Sequence, residues 1–274
     1  MNGYRGYQRW IPRLGEFLLA LLLVYSSVMH FRYATFVATI VPPWMPFRLF
    51  WAYFTGAALF AAGAGIALHK QTHLAATLLG IMLFLFVMLI HMPSLAASIA
   101  HKPGDVNVLW SFNGTGGVNN ALKDILLSLS ALILAAAHTK VERNSHPKRA
   151  ALLGSSFAII LVLFGIEHFI YTGYTPGIPS WSLVSFWIPG RLFWGYFTGA
   201  FMLASGVMIL IGKQARVAAM AAGLMILVVA IAAYAFRMAA NGGDLGELTN
   251  TLKDIAAGGG ALILSGLLLP DKVR

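Results

Sequence analysis

Apolar runs of about 20 residues follow one another along almost the whole chain, separated by short polar or Gly/Pro-containing breaks. A bilayer core demands such a run of each helix that spans it. The pattern predicts eight helices, over about 14–36, 47–68, 74–95 and 119–138, then about 150–172, 189–211, 217–238 and 250–269. The polar faces that a soluble helical core would show are missing. A hydrophilic break from Thr139 to Arg149 divides the eight runs into two sets of four.

The second set repeats the first. Arg48-Leu49-Phe50-Trp51-Ala52-Tyr53-Phe54-Thr55-Gly56-Ala57 returns as Arg191-Leu192-Phe193-Trp194-Gly195-Tyr196-Phe197-Thr198-Gly199-Ala200. At the same offset Trp44 and Pro46 correspond to Trp187 and Pro189, Lys70-Gln71 to Lys213-Gln214, and Gly80 to Gly223. After a shorter loop, Leu122-Lys123-Asp124-Ile125 returns as Leu252-Lys253-Asp254-Ile255. The expected fold is therefore an all-α integral membrane protein of eight transmembrane helices, built as two four-helix bundle repeats, 1–139 and 140–274. Four is an even number, so the repeats run parallel, about a pseudo-two-fold along the membrane normal.

Composition agrees: 59% of residues are hydrophobic and 10% charged, against about 25% charged in a soluble protein. The formal charge of +10 would point to nucleic acid in a soluble chain. Here the cations lie in short loops and act as topology signals, so no nucleic-acid partner is expected. Lys70, then Lys140, Arg143, Lys148 and Arg149, then Lys213 and Arg216 lie on one side, and the opposite loops hold little beyond Lys102. The positive-inside rule then puts both termini in the cytoplasm, and the setting is a bacterial cytoplasmic (inner) membrane. Arg5, Arg9 and Arg13 before an apolar run resemble a signal peptide's charged region, but that run belongs to the first repeat and is expected to stay as a helix. Six of the seven tryptophans fall near the outer side, with interfacial anchoring as the plain role of Trp44, Trp110, Trp181 and Trp187. Ala57, Ala61 and Gly65, and Ala200 and Ala204, have the spacing of helix-packing faces. With no cysteine, disulfide chemistry, iron–sulfur ligation and thiol relays are excluded.

Polar groups inside the hydrocarbon are costly and invite a functional reading. The first half offers His30, Arg48, Trp51, His91, Lys123 and Asp124. His30 lies about 24 Å along its helix at 1.5 Å per residue, His91 is similarly deep, and Arg48 and Lys123 open helices that start outside. All four helices thus bring polar groups to one level in the outer leaflet. The second half offers Glu167, His168, Arg191, Trp194, Tyr234, Arg237, Lys253 and Asp254, with Glu167 in place of Met29 and Tyr234 in place of His91. One reading pairs Arg48 with Asp124 and Arg191 with Asp254 as interhelical glue. The other makes a pocket for an anion or a quinone-like headgroup, with Arg and Lys holding a negative oxygen and His or Glu handling protons. In that reading adjacent Lys123 and Asp124, about 100° apart on a helix, divide pairing and ligand contact between them. His69, His73, His138 and His146 sit at helix ends or in cytoplasmic loops, suited to solvent or lipid phosphates rather than a metal. No metal site and no tightly held cofactor is expected, and haem ligation by His30 and His91 has no counterpart in the second half. Phosphate loops, metalloprotease helices and nucleophile elbows are absent. Gly114 to Gly117 reads as a flexible outer loop, and Gly258-Gly259-Gly260 as a close helix contact.

The order of these motifs resembles the DoxX family of four-helix membrane proteins, twice over. The resemblance is carried by Gly165-Ile166-Glu167-His168-Phe169, the Trp-Gly-Tyr-Phe-Thr-Gly helix from Trp194, Lys213-Gln214-Ala215-Arg216-Val217-Ala218-Ala219, and Leu252-Lys253-Asp254. In the first half it is carried by His30-Phe31, Trp44, Trp51 to Gly56, His91-Met92-Pro93 and Leu122-Lys123-Asp124. It implies a membrane subunit of a redox complex, with a quinone or sulfur-oxyanion pocket at the outer leaflet and a redox partner protein beside the lipid bilayer. Met29, where the second copy has Glu167, weighs against an acid–base role in the first half. Two other readings fit the residues: a small-molecule or anion transporter, from the parallel repeat and intramembrane charges, and a non-catalytic membrane scaffold whose charges only fix the fold.

Overall fold

The computed structural model describes residues 2–101, 117–139, 147–171, 178, 189–241 and 245–268. Every regular element among them is helical: α1 (Asn2–Arg32), α2 (Ala34–Ile40), α3 (Arg48–Ala67), α4 (Thr72–Phe86), a π-helical turn (Val87–His91), α5 (Met92–His101), α6 (Val118–Ala137), α7 (Pro147–Ile170), α8 (Arg191–Leu210), α9 (Ala215–Asn241) and α10 (Leu245–Leu267). Trp110, Trp181, Trp187, Lys102, Lys140, Arg143, His146, residues 114–116 and the side chains of Arg5, Arg9 and Arg237 lie outside the described residues.

Among the described residues seven helices are long and apolar enough to cross a membrane. Their outward faces carry large apolar side chains such as Phe17, Phe60, Leu78, Leu163, Val228 and Ile231, as contact with lipid requires. The helix expected as an eighth span, α10, is not among the seven. Glu247, Lys253, Asp254 and three consecutive glycines lower its hydropathy. It sits at the centre, packed on α1, α6 and α9, so its composition answers to close packing rather than to lipid.

Three expectations about element extent change. α1 begins well before residue 14 and carries Pro12 inside it. A short α2 turns the chain after α1. The third run does not stop near 95 but continues to His101. Pro93 has no N–H and crowds the carbonyl four residues earlier. The chain accommodates it with the π turn, in which Met92 N–H reaches Val87 O, and the helix resumes.

Glycine decides how the helices cross. A Cβ on Gly56 would meet His30 Cβ at 2.9 Å, and one on Gly199 would meet His168 Cβ at 2.7 Å. Gly63 lies against Leu23 and Ala20 O as Gly206 lies against Val162 and Ala158 O. Gly80 and Gly223 are pressed by Leu132 and Leu262, in each case with 2.7 Å to Cδ2. The packing stripes of α3 and α8 are therefore Gly56/Gly63 and Gly199/Gly206. Of the stripes expected at Ala57/Ala61/Gly65 and Ala200/Ala204, the four alanines point outward and are exposed, because an alanine already holds a partner backbone further away than glycine does, while Gly65 is half-buried against the Lys70 carbonyl and Ala75. The triple glycine of α10 is a packing device, as expected, and its three members serve three neighbours. Gly258 faces Gly223 O of α9, Gly259 faces Gly15 of α1, and Gly260 faces Ser130 of α6. Successive residues 100° apart thus let α10 approach three helices closely.

A Gly199→Ala chain should lose about 1–3 kcal/mol, because the methyl meets His168 and the Gly165 carbonyl rather than a flexible side-chain tip. Gly195→Ala, one turn earlier with nothing within 4 Å, should be neutral or slightly stabilising. Thermal unfolding of the two detergent-solubilised variants checks the contrast.

Candidate functional site

α6 and α10 run parallel at the centre, with Lys123-Asp124 beside Lys253-Asp254 and Ser130 beside Gly260. Because the same dipeptide sits on both helices, the charges pair reciprocally. Lys123 Nζ lies 3.5 Å from Asp254 Oδ1, and Lys253 Nζ donates to Asp124 Oδ1 at 3.1 Å. Asp124 also accepts from His91 Nε2 at 2.9 Å. Four formal charges and one imidazole therefore form a compensated group on three elements. Lys123, Asp124, His91 and Asp254 are buried. Each charge has an opposite partner, which the low dielectric requires.

This corrects the pairing expected from sequence. Asp124 is matched to Lys253 of the other half and not to Arg48. Arg48 is exposed and donates from Nη2 to Pro43 O at 3.3 Å, closing the turn before α3. Asp254 faces Lys123, a partner that sequence analysis had not assigned to it. Nor do Lys123 and Asp124 divide their roles between pairing and ligand, since both are buried and both pair across the halves.

The π turn is what delivers His91. It ends at this residue and offsets the register of α4 so that the imidazole meets Asp124 on α6. The second half has Tyr234 at this position, half-buried in the unbroken helix α9. The asymmetry between His91 and Tyr234 is thus one of backbone as well as side chain.

His30 and His168 have the same local geometry. Each Nδ1 lies 2.8 Å from the carbonyl four residues earlier, Ser26 O and Phe164 O respectively. A carbonyl only accepts, so in each ring Nδ1 carries a hydrogen. Each histidine is seated by its glycine on the neighbouring helix, Gly56 or Gly199. They differ in burial: His30 is half-buried, whereas His168 and its neighbour Glu167 are fully buried. Arg191 opens α8 and is half-buried.

The repeated tryptophans stand in matching aromatic groups. Trp51 packs edge-on against Phe50 and Phe54 at 5.3 and 5.8 Å and donates to Pro46 O at 3.0 Å. Trp194 packs edge-on against Phe193 and Phe197 at 5.2 and 6.0 Å and is exposed. These contacts fix the starts of α3 and α8 at the surface. They fit interfacial anchoring and leave the charged group to the Lys, Asp and His side chains.

Two polar contacts escaped sequence analysis. Tyr25 hydroxyl on α1 lies 3.2 Å from Thr249 Oγ1 and donates to Leu245 O at 3.3 Å on α10. Glu16, also on α1, meets His69 and His138, so these histidines are not simply solvated. The signal for Glu16 was legible, as a lone carboxylate inside an apolar run. Its partners were not, because they lie 53 and 122 residues away. Among the described residues no set of three His, Cys, Asp or Glu side chains is arranged to hold a metal ion.

A family model described as a domain of unknown function (DUF8561) matches residues 19–138, less than half of the chain. No curated protein and no solved structure matches the chain.

Lys123→Met alone should cost about 3–5 kcal/mol by breaking its buried pair with Asp254. Adding Asp254→Asn should return part of that loss. A double-mutant cycle on unfolding midpoints of the full chain in detergent measures the coupling.

Proposed function

We propose that this is a multi-pass membrane protein of eight spanning helices in two parallel four-helix repeats, with both termini cytoplasmic in a bacterial inner membrane. It serves as the membrane subunit of a redox complex and receives a quinone headgroup or a small sulfur oxyanion at the polar group on α6 and α10. The repeat is supported by the duplicated motifs and by the matched glycine and histidine contacts. α10 acts as the eighth span because it runs antiparallel to α1, from Tyr25–Thr249 at one end to Pro12–Gly266 at the other. The redox role is supported by the motif order it shares with DoxX proteins.

One observation carries the site. Within the compensated group, the Lys253 side chain is 26% exposed, whereas those of Lys123, Asp254, His91 and Asp124 are 3–10% exposed. Lys253 is the cation that an incoming oxygen can reach. Its ammonium carries three donors, and Asp124 takes one of them. Asp124 keeps its hydrogen bond from His91 Nε2 when Lys253 turns to a ligand. His91, hydrogen-bonded to Asp124, is the titratable group of the set that stands beside the ligand-facing pair.

A second reading, the non-catalytic scaffold, is favoured by the reciprocity of the pairs, since the group neutralises itself without a ligand. Mass spectrometry of small molecules extracted from the detergent-purified full chain separates the two. The redox reading expects a quinone or sulfur oxyanion in the wild type and its loss from a Lys253→Met variant that still elutes as a folded species. An empty wild type, with a variant that is merely unstable, favours the scaffold.

A further inference from the structure

One buried amide takes no part in the contacts described above. Asn119, in the first turn of α6, is 2% exposed, and neither its Oδ1 nor its Nδ2 has a hydrogen-bond partner. An amide taken out of water without partners is costly to the fold. Such a group marks a place that something other than the chain completes.

The second half shows the same position satisfied. At the offset that takes Lys123 to Lys253, Asn119 corresponds to Thr249. Thr249 Oγ1 donates to Leu245 O at 2.7 Å and lies 3.2 Å from the Tyr25 hydroxyl on α1. α7 takes the place of α1 in the second half. At the offset that takes His30 to His168, Leu163 holds the position of Tyr25. Leucine has no polar atom, so no counterpart of the Tyr25 hydroxyl reaches Asn119. The open amide is therefore a departure from the repeat and not a by-product of the shared architecture.

Its place on α6 indicates what it meets. Asn119 lies one turn, about 6 Å, from Lys123 toward the start of the helix, on the same face. Lys123 Nζ lies 3.5 Å from Asp254 Oδ1 on α10, so this face of α6 is turned to the seam between the central helices. The first turn of α6 has neither a side-chain cap nor an acidic residue. Its N–H groups have no carbonyl of their own helix to meet, and they carry the positive end of the helix dipole. Amide Nδ2 and helix N–H groups thus gather donors at one end of the seam, which suits an acceptor oxygen.

We propose that Asn119 is a ligand-binding residue whose Nδ2 donates to an oxygen of the ligand proposed for Lys253. The inference rests on that reading and adds a second point of attachment, on α6 where Lys253 is on α10. A quinone headgroup has oxygens on two sides, and a sulfur oxyanion has several, so either can offer one oxygen to each. The two ligands differ in what they leave over. A quinol hydroxyl donates to Oδ1 of the same amide, whereas an oxyanion leaves Oδ1 empty. Glu247, in the first turn of α10 at the same end of the central pair, opposes an oxyanion and not a neutral headgroup.

Because the amide has no partner within the chain, its removal separates binding from folding. Asn119→Leu keeps the branched shape and removes both polar atoms, so its unfolding midpoint should equal or exceed that of the wild type. Isothermal titration of the detergent-solubilised full chain with decylubiquinone, and separately with thiosulfate, reads the affinities of wild type, Asn119→Leu and Lys253→Met. The probe that binds the wild type identifies the source of the oxygen. It should bind Asn119→Leu about tenfold or more weakly, the loss expected of one buried hydrogen bond. If Asn119→Leu does not elute as a folded species, Asn119→Thr is read for the same loss, since Thr249 keeps its hydroxyl on its own backbone at the corresponding position. A lowered midpoint with undiminished affinity gives Asn119 a structural role and overturns the proposal. Equal affinity in wild type and Asn119→Leu, with Lys253→Met deficient, overturns the role of Asn119 and leaves the ligand reading intact. Binding of neither probe to the wild type overturns both.

Discussion

The arrangement of this protein depends on charges that neutralise each other inside a low-dielectric core. Lys123 with Asp254 and Lys253 with Asp124 are reciprocal, so each central helix carries both signs and needs the other helix for both. Neither α6 nor α10 could stand alone in lipid without uncompensated charge, which is costly enough to dictate assembly. The two helices must also lie parallel and in register, since a shift of one turn would separate both pairs. That constraint places α6 and α10 at the centre. α4 then packs on α6 and α9 on α10, while α1 packs on α10 and α7 on α6.

Crossing partners follow from the same constraint. α1 belongs to the first half in sequence yet packs along α10 of the second, through Gly15 with Gly259, Pro12 with Gly266, and Tyr25 with Thr249. The halves interlock around the central pair more closely than two bundles set side by side. Small residues make this feasible, because helices in lipid gain nothing from hydrophobic burial and must gain from close contact. The consecutive glycines of α10, each turned to a different neighbour, are the densest instance.

The two halves of the sequence differ in their polar groups. The first half has a π turn that brings His91 to Asp124, and a Glu16–histidine group at the far end. The second has buried Glu167 and His168. Any chemistry this protein performs is therefore to be sought where the halves differ, and at Lys253, where the shared charge group is accessible.

Sequence alone determined the helical class, the apolar runs and the repeated motifs. These are one-dimensional properties: run length against bilayer thickness, and identity at fixed offsets. It also marked Gly258-Gly259-Gly260 as a contact. Only the tertiary structure decided which charges meet. Arg48 was the obvious partner for Asp124 within its own half, and proximity in sequence favoured it, but the parallel register of α6 and α10 put Lys253 closer. The alanine stripes of α3 and α8 had the correct spacing on the wrong face, because periodicity reports that a stripe exists and not which neighbour it meets. The continuation past Pro93 and the gathering of Glu16, His69 and His138 depend on a local π turn and on helix ends brought together by packing, neither of which leaves a periodic trace.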